Sequence, residues 1–171
     1  MRVFMNVALS YAAWFAVAAL AAQGEFGLAV VPSLVALVIH LGMMPADKRR
    51  AELMLAAAAI LLGICVEIIN MAAGATQYAA QATVSGMPPA FMIGLWAAFA
   101  TLINVSLAWM KDRLWLAVLF GALASGPSYY AGSKIGALTL GEPVWQSLVT
   151  IGAVWAVAFP LLILIARRFD R

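Results

Sequence analysis

The residues able to do chemistry in this chain are few, and most lie in hydrocarbon-rich surroundings. Glu67 is the clearest case, because the run ICVEIIN (Ile64–Asn70) places it among isoleucines, a valine and the single cysteine. A carboxylate in such a setting can carry a proton, hold a cation or contact a polar ligand. An ionisable residue inside a membrane segment is by default a functional candidate. The competing account is structural: a protonated Glu67 bonded to a neighbouring helix, or an ion pair with Lys134. Insertion energy does not decide between them. An acidic side chain costs about 2.5–3.5 kcal/mol at the centre of a span and less toward an interface, which its apolar neighbours outweigh.

The other candidates are uncharged or isolated. Asn70 follows Glu67 by one helical turn, and Tyr129 and Tyr130 lie in GPSYYAGSKIG (Gly126–Gly136). Asn104 and Ser106 interrupt LINVSL, His40 ends VALVIH, and Trp14 sits in the first apolar run. A headgroup contact or a satisfied core histidine competes with a ligand or proton role for His40, and interhelical hydrogen bonding competes with a site for Asn104 and Ser106. No H-E-x-x-H pattern or Walker-type loop occurs, so zinc proteolysis and ATP hydrolysis by this chain are not expected. Cys65 has no partner for an internal disulfide, and no Cys/His set has metal-ligand spacing. It reads as a small buried hydrophobe. No metal and no cofactor are expected.

These groups must be positioned by elements suited to lipid. The 171 residues are 66% apolar and 10% charged, with a mean hydropathy of +1.02. Soluble domains are about 45–50% apolar and about 25% charged. Apolar runs near the ~20 residues that cross a bilayer predict an all-α, single-domain bundle of six transmembrane helices, at about 4–22, 27–44, 52–71, 89–110, 114–133 and 144–166. Pro45 closes the second run, Pro88-Pro89 opens the fourth, and Gly141–Pro143 opens the sixth. Pro127 and Pro160 fall inside spans and predict kinks. Residues 72–88 form a small-residue loop with room for a short interfacial helix.

Charge sets an expected direction. Arg2, Lys48, Arg49, Arg50, Lys111, Arg113, Arg167, Arg168 and Arg171 are nine of the ten basic residues and fall on one side; Lys134 alone falls on the other. The positive-inside rule makes the first side cytoplasmic, with both termini inside. The first run exceeds the usual ~7–15-residue apolar region of a signal peptide, so it is expected to be a retained span. The basic residues form no coherent patch, and nucleic acid is not an expected partner.

On this frame the polar residues fall into two layers. Glu67 lies fifteen residues into the third run, about 22 Å from its cytoplasmic start. Asn70, Ser128, Tyr129 and Tyr130 share that outer depth, with Lys134 at its edge. Asn104, Ser106 and His40 form an inner layer, and Trp14 lies near mid-depth. The layers are either two sites or two ends of one polar path. Trp96, Trp109, Trp115 and Trp145 read as interfacial belt residues. Ala12, Ala16 and Ala19 present a small-residue face for close helix packing.

The segments NVALSYAAWF (Asn6–Phe15), VALVIHL, the acidic residue of the third run, WAAFATLINVSLAWM (Trp96–Met110) and GPSYYAGSKIGA (Gly126–Ala137) together resemble a family of small bacterial inner-membrane proteins known only as a domain of unknown function. Asn104, Ser106, Leu107 and Trp109 match its T-L-N-x-S-L-x-W pattern, with Leu102 where the family has Thr. Glu67 stands where the family more often has Asp. Gly126, Pro127, Tyr130, Gly132 and Gly136 match its glycine-proline-tyrosine segment, which is one residue shorter here. The resemblance implies a multi-pass fold in a bacterial inner membrane and no particular activity.

Three functions are consistent with these residues. The leading one is binding or translocation of a small solute or ion through a polar site around Glu67. Another is a non-catalytic accessory subunit that packs on a membrane-protein partner or a second copy of itself. The third is a membrane-embedded enzyme acting on a lipid or lipid-linked ligand, with Glu67 as general acid/base. A water-connected cavity at Glu67 points to the first, a dry bundle with an exposed small-residue face to the second, and a lateral slot to the third.

Overall fold

A computed structural model describes residues 2–169; Arg171, one of the basic residues assigned to the cytoplasmic side, lies outside them. Among the described residues the chain is all-α, apart from one two-stranded pairing. Its helices are α1 (Arg2–Ala22), α2 (Val31–Met43), α3 (Ala46–Ala72), α4 (Ala90–Ile103), α5 (Leu114–Ile135) and α6 (Val144–Phe169). Helices α1, α3, α5 and α6 are long and apolar enough to cross a membrane, whereas α2 with its leading 3-10 turn (Leu28–Val30) and α4 are shorter. Large apolar side chains cover the outside, including Phe4, Leu61, Leu123 and Val157. An exterior of this kind suits hydrocarbon better than water.

Several expected boundaries shift for local reasons. The DKRR segment, expected as a connector, is the first turn of α3, where Asp47 sits at the positive end of the helix dipole behind Pro45. The fourth run, expected to be helical to Met110, leaves the α-helix at Ile103, and a 3-10 turn at Ala108–Met110 follows. There the Asn104 and Ser106 side chains bond to Glu52 and Asn6 rather than serving a continuing helix, and Leu107 N–H closes back on Leu102 O at 2.8 Å. Helices α5 and α6 continue past Pro127 and Pro160. Gly136 ends α5 in the left-handed region, φ +98°, where its N–H and that of Ala137 bond to Gly132 O.

Helix α4 is central, packing on α1, α2 and α3; α3 also packs on α6, and α5 and α6 form the closest pair. Glycine makes these approaches possible. A Cβ at Gly152 would come 2.7 Å from Ala122 O, so α5 and α6 meet backbone to backbone. A Cβ at Gly63 would overlap the Trp96 ring, so α3 and α4 meet ring to backbone. In α1 the buried face is Asn6, Ala13, Val17, Ala18 and Ala21. Of the expected small-residue face, Ala12 and Ala19 point outward and Ala16 is half-buried, so that face lies largely outside the helix contacts within this bundle. Asn6 sets that rotation, since residues 13 and 17 share its side of the helix.

The loop after α3 carries no α-helix. It contains β1 (Thr76–Gln77), a 3-10 turn (Ala80–Ala82) and a Val84–Met87 bridge. Strand β1 pairs antiparallel with β2 (Thr139–Leu140), in the register Thr76 to Leu140 and Gln77 to Thr139. This short ladder ties the loop down over the end of the bundle opposite the basic residues.

Candidate functional site

Glu67 is fully buried on α3, at 0% exposure. Three uncharged donors from three elements converge on it. Trp96 Nε1 on α4 donates to Oε1 at 3.3 Å, Tyr129 on α5 donates its hydroxyl to the same oxygen, and Tyr78 in the loop donates to Oε2 at 2.8 Å. No cationic side chain acts on the carboxyl group. Burial, and then the charge of Glu67, push the Tyr78 phenol well above its ordinary pKa. An ionised carboxylate only accepts, so three donors aimed at it suit the charged form. Tyr78 is half-buried and is the one donor carried by a loop.

Asn70 lies one turn beyond Glu67 on α3, also 0% exposed, and neither Nδ2 nor Oδ1 has a partner. The turn after α3 folds back here. Ala75 N–H donates to Asn70 O at 2.8 Å, and Gly74 takes φ +70°. That return brings in Thr76, whose buried hydroxyl sits beside the Tyr78 hydroxyl without a hydrogen bond of normal geometry.

Beside Tyr129 is an apolar cleft of about 40 Å³, lined by Trp14 and Val17 of α1, Phe91 and Leu95 of α4, and Gly132 of α5. It lies where α1 and α5 scarcely touch. Its volume suits about two or three waters, not a lipid chain.

A second polar group occupies the basic end. His40 Nε2 lies 3.1 Å from Glu52 Oε2, Asn104 Nδ2 donates to Glu52 Oε1 at 2.9 Å, and Ser106 Oγ donates to Asn6 Oδ1 at 2.6 Å. Asn6 Nδ2 donates to Thr101 O at 3.1 Å and lies 3.4 Å from His40 Nδ1. The Thr101 carbonyl can only accept, which fixes Nδ2 as the amide nitrogen. His40 Nδ1 therefore accepts, and the proton sits on Nε2, donated to Glu52. Between the two groups an aromatic stack closes the bundle, with Trp96 and Trp155 centroids 4.4 Å apart and Phe99 against both.

The structure thus brings Glu67 and Tyr129 together with Asn70 one turn away, and joins His40, Asn104 and Ser106 separately. Trp14 lines the cleft. Tyr130 is not with Glu67: it is 42% exposed, with Lys134 Nζ 5.0 Å from its ring centroid. Ser128 is exposed. Lys134, engaged with Tyr130, is not the ion-pair partner of Glu67. Cys65, expected to be buried, lies on the outside of the bundle. Trp96, expected in the interfacial belt, is 2% exposed and bonded to Glu67, whereas Trp109, Trp115 and Trp145 are exposed.

Asn6, Glu52 and Tyr78 escaped the sequence reading. Glu52 opens the third apolar run, where a polar residue is ordinary, yet it stands fifteen residues from Glu67, about four turns, and so near the same helix face. Among the described residues no group of three His, Cys, Asp or Glu could hold a metal.

A family model described as "Protein of unknown function (DUF2878)" matches residues 3–161. No curated protein and no solved structure matches the chain.

Proposed function

The chain belongs to the DUF2878 family, proteins of unknown function, and on that footing we propose that it is an integral membrane protein that binds a small solute or ion at Glu67. The observation that carries this reading is the environment of Glu67: complete burial, three uncharged donors from separate elements, and no cationic neighbour. A buried charge without a counter-charge is expensive, and the expense is relieved by a proton or a cation. Packing alone needs no such group, since an apolar residue of similar volume is often as stabilising as a buried ionic one.

In this reading the bundle crosses a bacterial inner membrane six times, with both termini cytoplasmic. The short helices α2 and α4, about 20 Å each, are completed by 3-10 turns and by the 104–113 segment. Access is from the loop side, where displacing Tyr78 uncovers the carboxylate. Passage onward requires the aromatic stack to move, so binding is the step this conformation supports. The enzyme reading is weaker. His40 spends both ring nitrogens on Asn6 and Glu52, and the cleft is too small for a lipid chain. Two features favour an accessory role: Ala12 and Ala19 face outward, and the cleft beside Tyr129 is not lined by Glu67.

The test is Glu67→Gln in detergent-purified protein. The variant should keep its helical content, while its thermal midpoint loses the part of the dependence on pH and bathing ions that the Glu67 carboxylate supplies. A variant that tracks the wild type in every medium removes Glu67 from any binding role.

A further inference from the structure

Among the described buried polar side chains, Asn70 alone combines complete burial with two unpartnered atoms. Leaving such groups unmatched in a buried position is costly. The Asn70 amide sits one turn from a carboxylate that has no counter-charge, and Thr76 adds a second buried, unpartnered oxygen beside Tyr78.

From this juxtaposition we propose that Glu67, Asn70 and Thr76 form a binding site for a single monovalent alkali cation of the Na⁺ class. The proposal rests on the reading of Glu67 as a binding group and specifies its ligand. A proton on Glu67 would remove the charge but leave Asn70 and Thr76 unserved, whereas a cation serves all three. Every donor offered is oxygen (carboxylate, amide carbonyl, hydroxyl), the set hard cations take. One carboxylate balances one positive charge, which disfavours Ca²⁺ and Mg²⁺. A cation that keeps one water uses both halves of the amide, with Oδ1 as ligand and Nδ2 donating to that water. Tyr78 closes the site from the loop, and the β1–β2 pairing holds Thr76 in place.

The experiment replaces choline chloride by NaCl or KCl at constant ionic strength and follows thermal unfolding of the wild type, Asn70→Leu and Glu67→Gln in detergent. Na⁺ should raise the wild-type midpoint in a saturable way that choline does not reproduce. Asn70→Leu should need roughly tenfold more Na⁺ for the same shift, and Glu67→Gln should show no shift. In choline, Asn70→Leu should be at least as stable as the wild type, because the amide it removes has no protein partner. A destabilised Asn70→Leu in choline overturns the proposal, since the amide would then be structural. Equal wild-type midpoints in Na⁺, K⁺ and choline overturn it as well. If that equality comes with a pH dependence that Glu67→Gln abolishes, only the cation assignment falls and Glu67 remains a proton site. If Glu67→Gln matches the wild type throughout, both readings fall.

Discussion

Tyr78 and His40 show what single residues decide here. Burial and the Glu67 charge hold the Tyr78 proton in the folded protein beyond the pH at which an unfolded tyrosine loses it. Between those two values the unfolded chain has released a proton that the native state keeps, so native stability falls as pH rises above about 10. Wild-type stability should therefore drop more steeply than that of Tyr78→Phe in alkaline denaturation; parallel curves would deny the coupling. His40 is the single histidine, so ¹⁵N-histidine labelling yields one pair of ring resonances. They should report the Nε2–H tautomer that the Thr101–Asn6–His40–Glu52 chain requires. An Nδ1–H signature would mean that Asn6 does not orient the ring.

At the scale of elements, the site exists because helices approach closely where a side chain is missing. Gly63 lets the Trp96 ring lie on the α3 backbone, and that position carries Nε1 to Glu67. Gly63→Ala places a methyl group where the ring lies, and overpacking of this kind costs about 1–3 kcal/mol. The thermal midpoint should fall and tryptophan fluorescence should shift as the ring leaves its carboxylate. A variant that keeps both wild-type values would show that α3 and α4 are less tightly joined. The break after Ile103 has a similar origin. Asn104 and Ser106 reach α3 and α1 only because the helix ends there. Irregular backbone next to a membrane-spanning helix is tolerated when its polar groups find partners in the protein; residues 104–108 are half-buried, and those bonds tie them to α3 and α1.

For the whole molecule, the basic residues and the two polar groups define its ends. Glu52 and Glu67 lie about 22 Å apart along α3, with the aromatic stack between them. The proposed six crossings with cytoplasmic termini would put Gln81 outside and Lys48 inside. In a Cys65→Ser background, a membrane-impermeant thiol reagent added to intact cells should label Gln81→Cys, and should label Lys48→Cys only after lysis. The reverse pattern would invert the bundle and with it the access route through Tyr78.

Composition and hydropathy alone determined that this chain is helical and suited to lipid, because hydrocarbon in such excess has no aqueous solution and a lipid-exposed backbone must bond to itself. They also marked Glu67 and Asn70, since a polar residue in an apolar run is conspicuous without any fold. Tertiary structure decided which partners those residues meet. Tyr129 and Tyr130 are indistinguishable by type and depth, and only the rotation of α5 turns the first inward and the second out. Trp96 read as belt because tryptophan suits an interface, and a glycine on another helix buried it. Tyr78 carried no signal in a loop, and Glu52 only its four-turn spacing from Glu67, because polar residues are ordinary in both settings; contacts between distant segments made each part of its own polar group.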